Sequence, residues 1–421
     1  MKSPCPDVAA GTGVVPRYAW IIVVAATLVV FAALGLARFG YTMLLPSMQA
    51  GLSLDNRQAG GLATANLAGY LLLSVAGGAL AARLGPRLVI AGGLLVAAAG
   101  MALTGLTGSF GGAMLWRTLT GVGSGASNVP VMGLVSSWFD RGRRGLATGI
   151  AVTGSSFALI ALGSVVPRIL AAGSSEGWRL CWFLFAGATC LVAAFAVLSL
   201  RNRNSTDDAA GQSRPVAAPI LQWGTVYASS AVWCLGLIYV AFGFSYIIYI
   251  TFFAKYLMVE GGYSQRAAGS LFMLMGWVSL LCGLLWGWVS DIIGRKWTLV
   301  IVFMIQAAAF GLFAMWPRPA GFTISAILFG LTAWSIPAIM AAACGDLLEP
   351  RLAPAGLGFV TLFFGIGQAI GPYAAGAIAD ATGRLSPAFV LAALVSLLGA
   401  VGSVLLRAEG KPASAGGLRD V

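Results

Sequence analysis

Two arginines lie where charge is costly. Arg38, in ARFGYTMLLPSM (37–48), and Arg117, in RTLTGVGSGA (117–126), interrupt long apolar runs, and no Asp, Glu or His stands mid-run to neutralise them. A guanidinium offers five N–H donors in a fixed fork that matches a carboxylate or phosphate. Two such groups without a buried acid leave an uncompensated positive field, which suits binding of a small anion. Asn128, Tyr246, Tyr249, Trp334, Gln368 and Asn66 are weaker candidates that could orient a ligand by hydrogen bonds or stacking. For each of these, packing or bonding between helices is the commoner role. Lys255, near the end of its run, reads as an interfacial anchor.

The elements that must position these residues follow from composition. Of 421 residues, 59% are hydrophobic and 9% charged, with a mean hydropathy of +0.90. Soluble domains carry about a quarter charged residues, so the class is an all-α membrane protein. A spanning helix needs about 20 apolar residues. Such segments run over 18–48, 58–82, 87–107, 111–139, 146–170, 178–200, 223–258, 267–290, 297–316, 321–343, 352–379 and 387–406, which makes twelve. On that count Arg38 and Arg117 share a depth, roughly 10–15 Å below one surface. Pro46, Pro130, Pro167, Pro337 and Pro372 fall inside runs and predict kinks.

RNRNSTDDAAGQSRPVAAP (201–219) is the long polar interior stretch and reads as a linker. The organisation expected is a tail (1–17), a six-helix bundle (18–200), a linker (201–222), a second bundle (223–406) and a tail (407–421). Sorting Lys and Arg by alternate sides places sixteen with the termini and linker and seven on the other side. Both termini are therefore expected in the cytoplasm, with no signal peptide at the N-terminus. The net charge of +12 is this loop asymmetry, not a nucleic-acid footprint.

The halves repeat. At a constant offset of 209, Arg57 falls on Arg266, Ala59 on Ala268, Gly60 on Gly269, Leu62 on Leu271, Gly78 on Gly287, Gly85 on Gly294 and Gly149 on Gly358. Parallel repeats of this kind are a transporter architecture. The repeat contains the charged stretch GWVSDIIGRK (287–296) and a worn copy, GALAARLGPR (78–87). Gly78, Arg83, Gly85 and Arg87, and Gly287, Asp291, Gly294, Arg295 and Lys296, are read as gating residues at turns between helices. In the second copy Asp291 can pair with Arg295 or Lys296; in the first, Ala82 replaces the acid. A third partial echo, GAIADATGR (376–384), ends the eleventh run on the other side.

These residues carry a resemblance. GWVSDIIGRK resembles the Gly-x-Leu-x-Asp-Arg-x-Gly-Arg-Arg motif of the major facilitator superfamily (MFS), with Ile292 in place of Arg. RTLTGVGSGA looks like its fourth-helix motif and RRGLATGI (143–150) like its fifth-helix start. ARFGYTMLLPSM and FFGIGQAIGPYAAGAIADATG (363–383) are most similar to the bacterial YbfB/YjiJ-type subgroup, with a broader similarity to monocarboxylate transporters in the YAWIIV opening. The resemblance implies the MFS fold, with twelve transmembrane helices in two pseudo-symmetric six-helix bundles and a central cavity lined by the first and fourth helices of each half. It implies that Arg38 and Arg117 could face that cavity together.

The expected function is secondary transport of a small organic anion, such as a monocarboxylate, by alternating access. A proton could accompany the solute, though no embedded acid is present to carry it. An exporter of drugs or amphipathic metabolites is the alternative within transport, and a non-transporting membrane sensor the alternative from another class. An enzyme is not expected, because no nucleophile, acid–base pair or metal cluster is visible. No GxxxxGK[ST] loop occurs, which disfavours an ATP-driven pump. Six cysteines without a CxxC pair, and no His, leave no cofactor or metal expected. The partners expected are the solute and the bilayer, with the protein a monomer.

Overall fold

A computed structural model describes residues 17–139, 141–172, 176–202, 229–348 and 352–406. The terminal tails and nearly all of the 201–222 linker lie outside the described residues, with Cys5, Lys2, Arg203, Arg214, Arg351, Arg407, Lys411 and Arg419. The described residues are helical, without strands, and form twelve rods. We number them α1 (Arg17–Val30, Phe31–Phe39 and Gly40–Gly51), α2 (Asn56–Leu84), α3 (Pro86–Leu106), α4 (Phe110–Trp138), α5 (Arg141–Ala172) and α6 (Gly177–Ser199). The second half holds α7 (Ser230–Val259), α8 (Gln265–Ser279 and Cys282–Ile293), α9 (Arg295–Met315), α10 (Pro319–Thr332 and Ser335–Leu347), α11 (Ala353–Thr382) and α12 (Ser386–Leu405).

Among these, nine are long and apolar enough to cross a membrane alone, and eleven if two bent pairs, in α2 and α8, each count as one span. The remaining rod is α4, whose Arg117 and many Gly, Ser and Thr residues dilute its apolar character. Polar residues start the rods where apolar runs begin. Asp55 accepts from the Gln58 amide at 2.6 Å while the Gln58 side chain accepts from the Asp55 amide, a capping box on α2. Ser109 and Ser264 cap α4 and α8 by accepting from the Gly112 and Ala267 amides, without the reciprocal bond.

Within the first half α4 packs on α2 and α3, α3 on α6, and α1 on α5. Within the second, α7 packs on α11 and α12, and α9 on α12 and α10. Two long pairs join the halves: α2 with α11, and α5 with α8. In the second pair Gly163 and Gly269 lie carbonyl against carbon, so a side chain on either would strike the other backbone. The repeat is visible in the backbone, since Gly85 (φ 84°) and Gly294 (φ 83°) end α2 and α8 in the same left-handed turn.

One break falls at a proline, four prolines lie inside continuous helices, and other irregular points have no proline. Pro46, Pro130, Pro167 and Pro372 lie inside unbroken helical runs. Irregular points include the π-helical stretch Phe31–Phe39 in α1, a 46° bend between Ser74 and Ala76 in α2, a 43° bend between Ser279 and Cys282, and the break at Ala333–Trp334 in α10. Pro337 follows that last break as the third residue of its helix, where a missing N–H leaves no helical bond unmade. Carbonyls freed at such points find side-chain partners: Trp286 Nε1 donates to Leu331 O at 2.6 Å and Ser335 Oγ to Thr332 O at 2.8 Å.

Candidate functional site at the junction of the two halves

The π-helical stretch of α1 sets the site. Two of its carbonyls, Ala33 and Ala37, accept bonds from α4, from Ser124 Oγ and from Arg117 Nη1 at 2.7 Å. A π turn is wider than an α turn, and these bonds hold it open on the side facing α4. Arg38 is the next residue, and the widened turn carries its side chain toward the second half. There Nη1 donates to the Tyr246 hydroxyl of α7 at 3.4 Å, and the guanidinium stands over the Tyr70 ring of α2, 4.5 Å from its centroid.

The two arginines line one small cavity, with room for about one water molecule, together with Tyr41, Asn66, Ile247 and Thr251. Their surroundings differ. Arg117 is 1% exposed and lies between the faces of Tyr41 (4.9 Å) and Trp182 (5.0 Å). A desolvated cation–π contact contributes up to about 2 kcal/mol and a charge-assisted hydrogen bond about 1.5–3 kcal/mol. These offset much of the roughly 2.5–3.5 kcal/mol that an arginine costs at mid-bilayer, although Arg117 Nε is itself buried without a partner. Arg117 thus ties α4 to the α1 backbone through its bond to Ala37.

Arg38 is compensated less fully, by the Tyr70 ring and the long 3.4 Å bond to Tyr246. Its Nε and Nη2 are buried without a hydrogen-bond partner. These two atoms form one edge of the guanidinium, the edge that takes a carboxylate in two parallel bonds. Around that edge the structure gathers several sequence candidates. Gln368 Nε2 of α11 also donates to the Tyr246 hydroxyl. Asn128 Nδ2 of α4 donates to the Tyr70 hydroxyl at 2.9 Å, leaving Asn128 Oδ1 buried and unpartnered. Trp334 is one step removed: its ring packs on Phe39 at 5.5 Å, and its Nε1 donates to Ser156 Oγ of α5 at 3.1 Å.

Other candidates lie apart from that edge. Tyr249 is buried inside the second half, its hydroxyl 2.8 Å from Ser325 Oγ and its ring among Phe253, Phe310, Phe313, Phe329 and Phe389. Three residues on from Tyr246 is 60° short of a full turn, and on a helix at the corner of two bundles that separates junction from core. Asn66 lines the small cavity, but its Nδ2 donates to the Arg117 carbonyl at 3.2 Å and so ties α2 to α4. Lys255 donates to Gln49 Oε1 and Asn56 Oδ1 across the junction and is 8% exposed, which makes it a buried tie and not an interfacial anchor. Tyr70 is the residue that the sequence reading missed. It lies in the α2 run with nothing in its spacing to mark it, and only the approach of α1 puts it beneath Arg38.

The two glycine turns lie far from this site, at the end rich in Lys and Arg, called here the basic end. In the second copy Arg295 pairs with Asp291 at 2.6 Å and with Asp346, at the end of α10, at 2.9 Å. Lys296 stands instead over the Trp297 ring at 5.8 Å. In the first copy, where Ala82 replaces the acid, the tie is neutral: Asn202 Oδ1 accepts from the Arg87 amide at 3.1 Å beside Gly85. Arg83 is exposed. Gly78 and Gly287 border open space, where an added carbon would meet nothing within 4 Å.

Among the described residues, cross-half hydrogen bonds lie between mid-depth and the opposite end. They include Ser279 with Ser156 (2.7 Å), Thr64 Oγ1 to Ala369 O (2.7 Å) and Gln265 Nε2 to Met43 O (3.2 Å).

Residues 30–404 match the family described as the uncharacterised MFS-type transporter YbfB. The hexuronate transporter of Bacillus subtilis (strain 168) is 22% identical over 381 residues, covering 85% of this chain and 87% of that protein. Monocarboxylate transporter 13 of Rattus norvegicus is 24% identical over 329 residues, covering 77% and 74%. Among solved structures, a bacterial homologue of the human lysosomal transporter Spinster, inward-facing and unoccupied, superposes with a TM-score of 0.71 at 18% identity, covering 93% of this chain and 96% of that one. With twelve helices in two six-helix bundles and a match over nearly its whole length, the chain belongs to the YbfB-type family of MFS transporters and is a multi-pass membrane carrier of small solutes, not an enzyme.

Proposed function

We propose that the protein carries a small organic anion, with a monocarboxylate as the simplest fit, and that Arg38 is its anchor. The observation that carries this reading is the buried, unpartnered Nε–Nη2 edge of Arg38 at the junction of the halves. A carboxylate there would complete both bonds and neutralise the charge. Tyr246, Gln368, Asn128 and Trp334 shape the surrounding wall. The names of the hexuronate and monocarboxylate relatives are in keeping with a carboxylate cargo.

Transport proceeds by rocking of the two bundles about this site. The basic end faces the cytoplasm of an inner membrane, and the arrangement described is the inward-facing one, closed at the opposite end. At the basic end the glycine turns gate the rocking. The Asp291–Arg295–Asp346 tie is largely exposed and lies within the second half, so it contributes roughly 0–1 kcal/mol and moves with its own bundle.

The test is a thermal-shift screen of the purified protein against sodium salts of monocarboxylates, neutral sugars and cationic drugs. Carboxylates are expected to raise the melting temperature and Arg38→Gln to abolish that rise. A response to sugars or drugs alone, or one that persists in Arg38→Gln, overturns the reading.

A further inference from the structure

The third echo of the glycine motif, GAIADATGR, lies at the end opposite the other two, and its acid is engaged. Asp380 Oδ1 accepts from the Asn56 amide at 2.9 Å and Oδ2 from the Arg57 amide at 2.8 Å. Those amides are the first two of α2, in the other half. The first amides of a helix have no partner within it, and they form the positive end of its dipole. The α2 terminus already has a local cap in Asp55. A second carboxylate reaches it from α11 only while the two halves are together at this end.

The backbones meet around that contact. Gly376, one turn before Asp380, lies against the Asn56 carbonyl, and Gly60 lies against the Pro372 carbonyl. A side chain on either glycine would drive α2 and α11 apart. Lys255 of α7 reinforces the junction, donating to Gln49 Oε1 of α1 and Asn56 Oδ1 of α2 from a site 8% exposed. Asn56 is thus held from both sides, by its amide to Asp380 and by its side chain to Lys255.

We propose that Asp380 is a positioning residue for transport: its carboxylate clasps the α2 terminus and favours the conformation closed at the end opposite the basic turns. When the halves part, water replaces both partners, so the clasp biases the equilibrium without locking it. In the other two copies the corresponding turn is tied within its own half, by Arg295 and Asp346 or by Asn202. Here the tie crosses the junction. The proposal rests on alternating access but not on the identity of the solute.

The test reads the two ends separately in full-length protein in nanodiscs, with the native cysteines replaced by alanine. Thr64→Cys reports the α2–α11 junction, and Gly287→Cys reports the basic end. Asp380→Asn keeps a single acceptor oxygen and loses the charge. It is expected to speed maleimide labelling at Thr64→Cys about tenfold, the effect of losing one charge-assisted bond, and to slow it at Gly287→Cys. Gly376→Leu wedges the same contact while keeping Asp380 and is expected to give the same reciprocal pattern, which keeps the proposal testable if Asp380→Asn fails to fold. Faster labelling at both sites means general loosening and overturns the clasp, as do unchanged rates. No solute is used, so failure here leaves the Arg38 reading untouched.

Discussion

Arg38 and Arg117 are the same residue type and line one cavity, but their partners differ. Arg117 is enclosed by two aromatic faces and a backbone carbonyl, all from its own half. Arg38 points across the junction to one tyrosine of the other half, with two donors unmatched. A cation bonded mostly within its own bundle serves as a brace, and we propose that one whose Nε–Nη2 edge is unmatched where two bundles meet holds a ligand. The amount of charge is equal; the partners available decide its use.

Four substitutions break or sharpen that contrast. Arg117→Ala removes the brace, leaves the Ala37 carbonyl without its donor and opens space between Tyr41 and Trp182. It is expected to lower stability by about 3 kcal/mol, seen as a large drop in melting temperature whether or not a carboxylate is present. Arg38→Gln should leave the melting temperature of the ligand-free protein nearly unchanged. Carboxylate uptake into proteoliposomes should then fall about 100-fold, the cost of a bidentate charge-assisted contact. If the two variants exchange these phenotypes, the contrast is wrong.

Tyr246→Phe deletes the hydroxyl that takes both Arg38 and Gln368. Freed from that bond, Arg38 loses its aim, and apparent carboxylate affinity is expected to weaken about fivefold, or roughly 1 kcal/mol, with little change in folding. The smallest effect is expected of Ser124→Ala, which removes the other bond from α4 to the π-helical stretch. It should reduce stability by about 0.5–1 kcal/mol and leave affinity within twofold, measurable by paired melting and titration. A larger effect on affinity than on melting would make Ser124 part of the site.

Much of the fold was legible. Helical rods over nearly all the apolar runs and the register of 209 follow from hydropathy and from glycine at matching positions. Gly85 and Gly294 illustrate why: a left-handed turn needs glycine, so the backbone requirement is written directly into the chain. The breaks were less legible. Prolines suggested kinks, yet the α1 irregularity has no proline, because partners on a neighbouring helix stabilise it. Tyr249 and Tyr246 could not be told apart either, since their types are equal and only the corner position of α7 separates them.

What the amino-acid order determined alone is one-dimensional: which stretches are apolar enough for lipid, where charge interrupts them, and that the chain repeats. Those properties are local sums over neighbouring residues, and hydrocarbon enforces them wherever the helices go. The tertiary structure decided the pairings: Arg117 with Ala37, Arg38 with Tyr246 and Tyr70, Asp380 with the start of α2. An ionised group buried in a low-dielectric interior takes its role from the few atoms within about 4 Å, and those arrive from helices tens to hundreds of residues away.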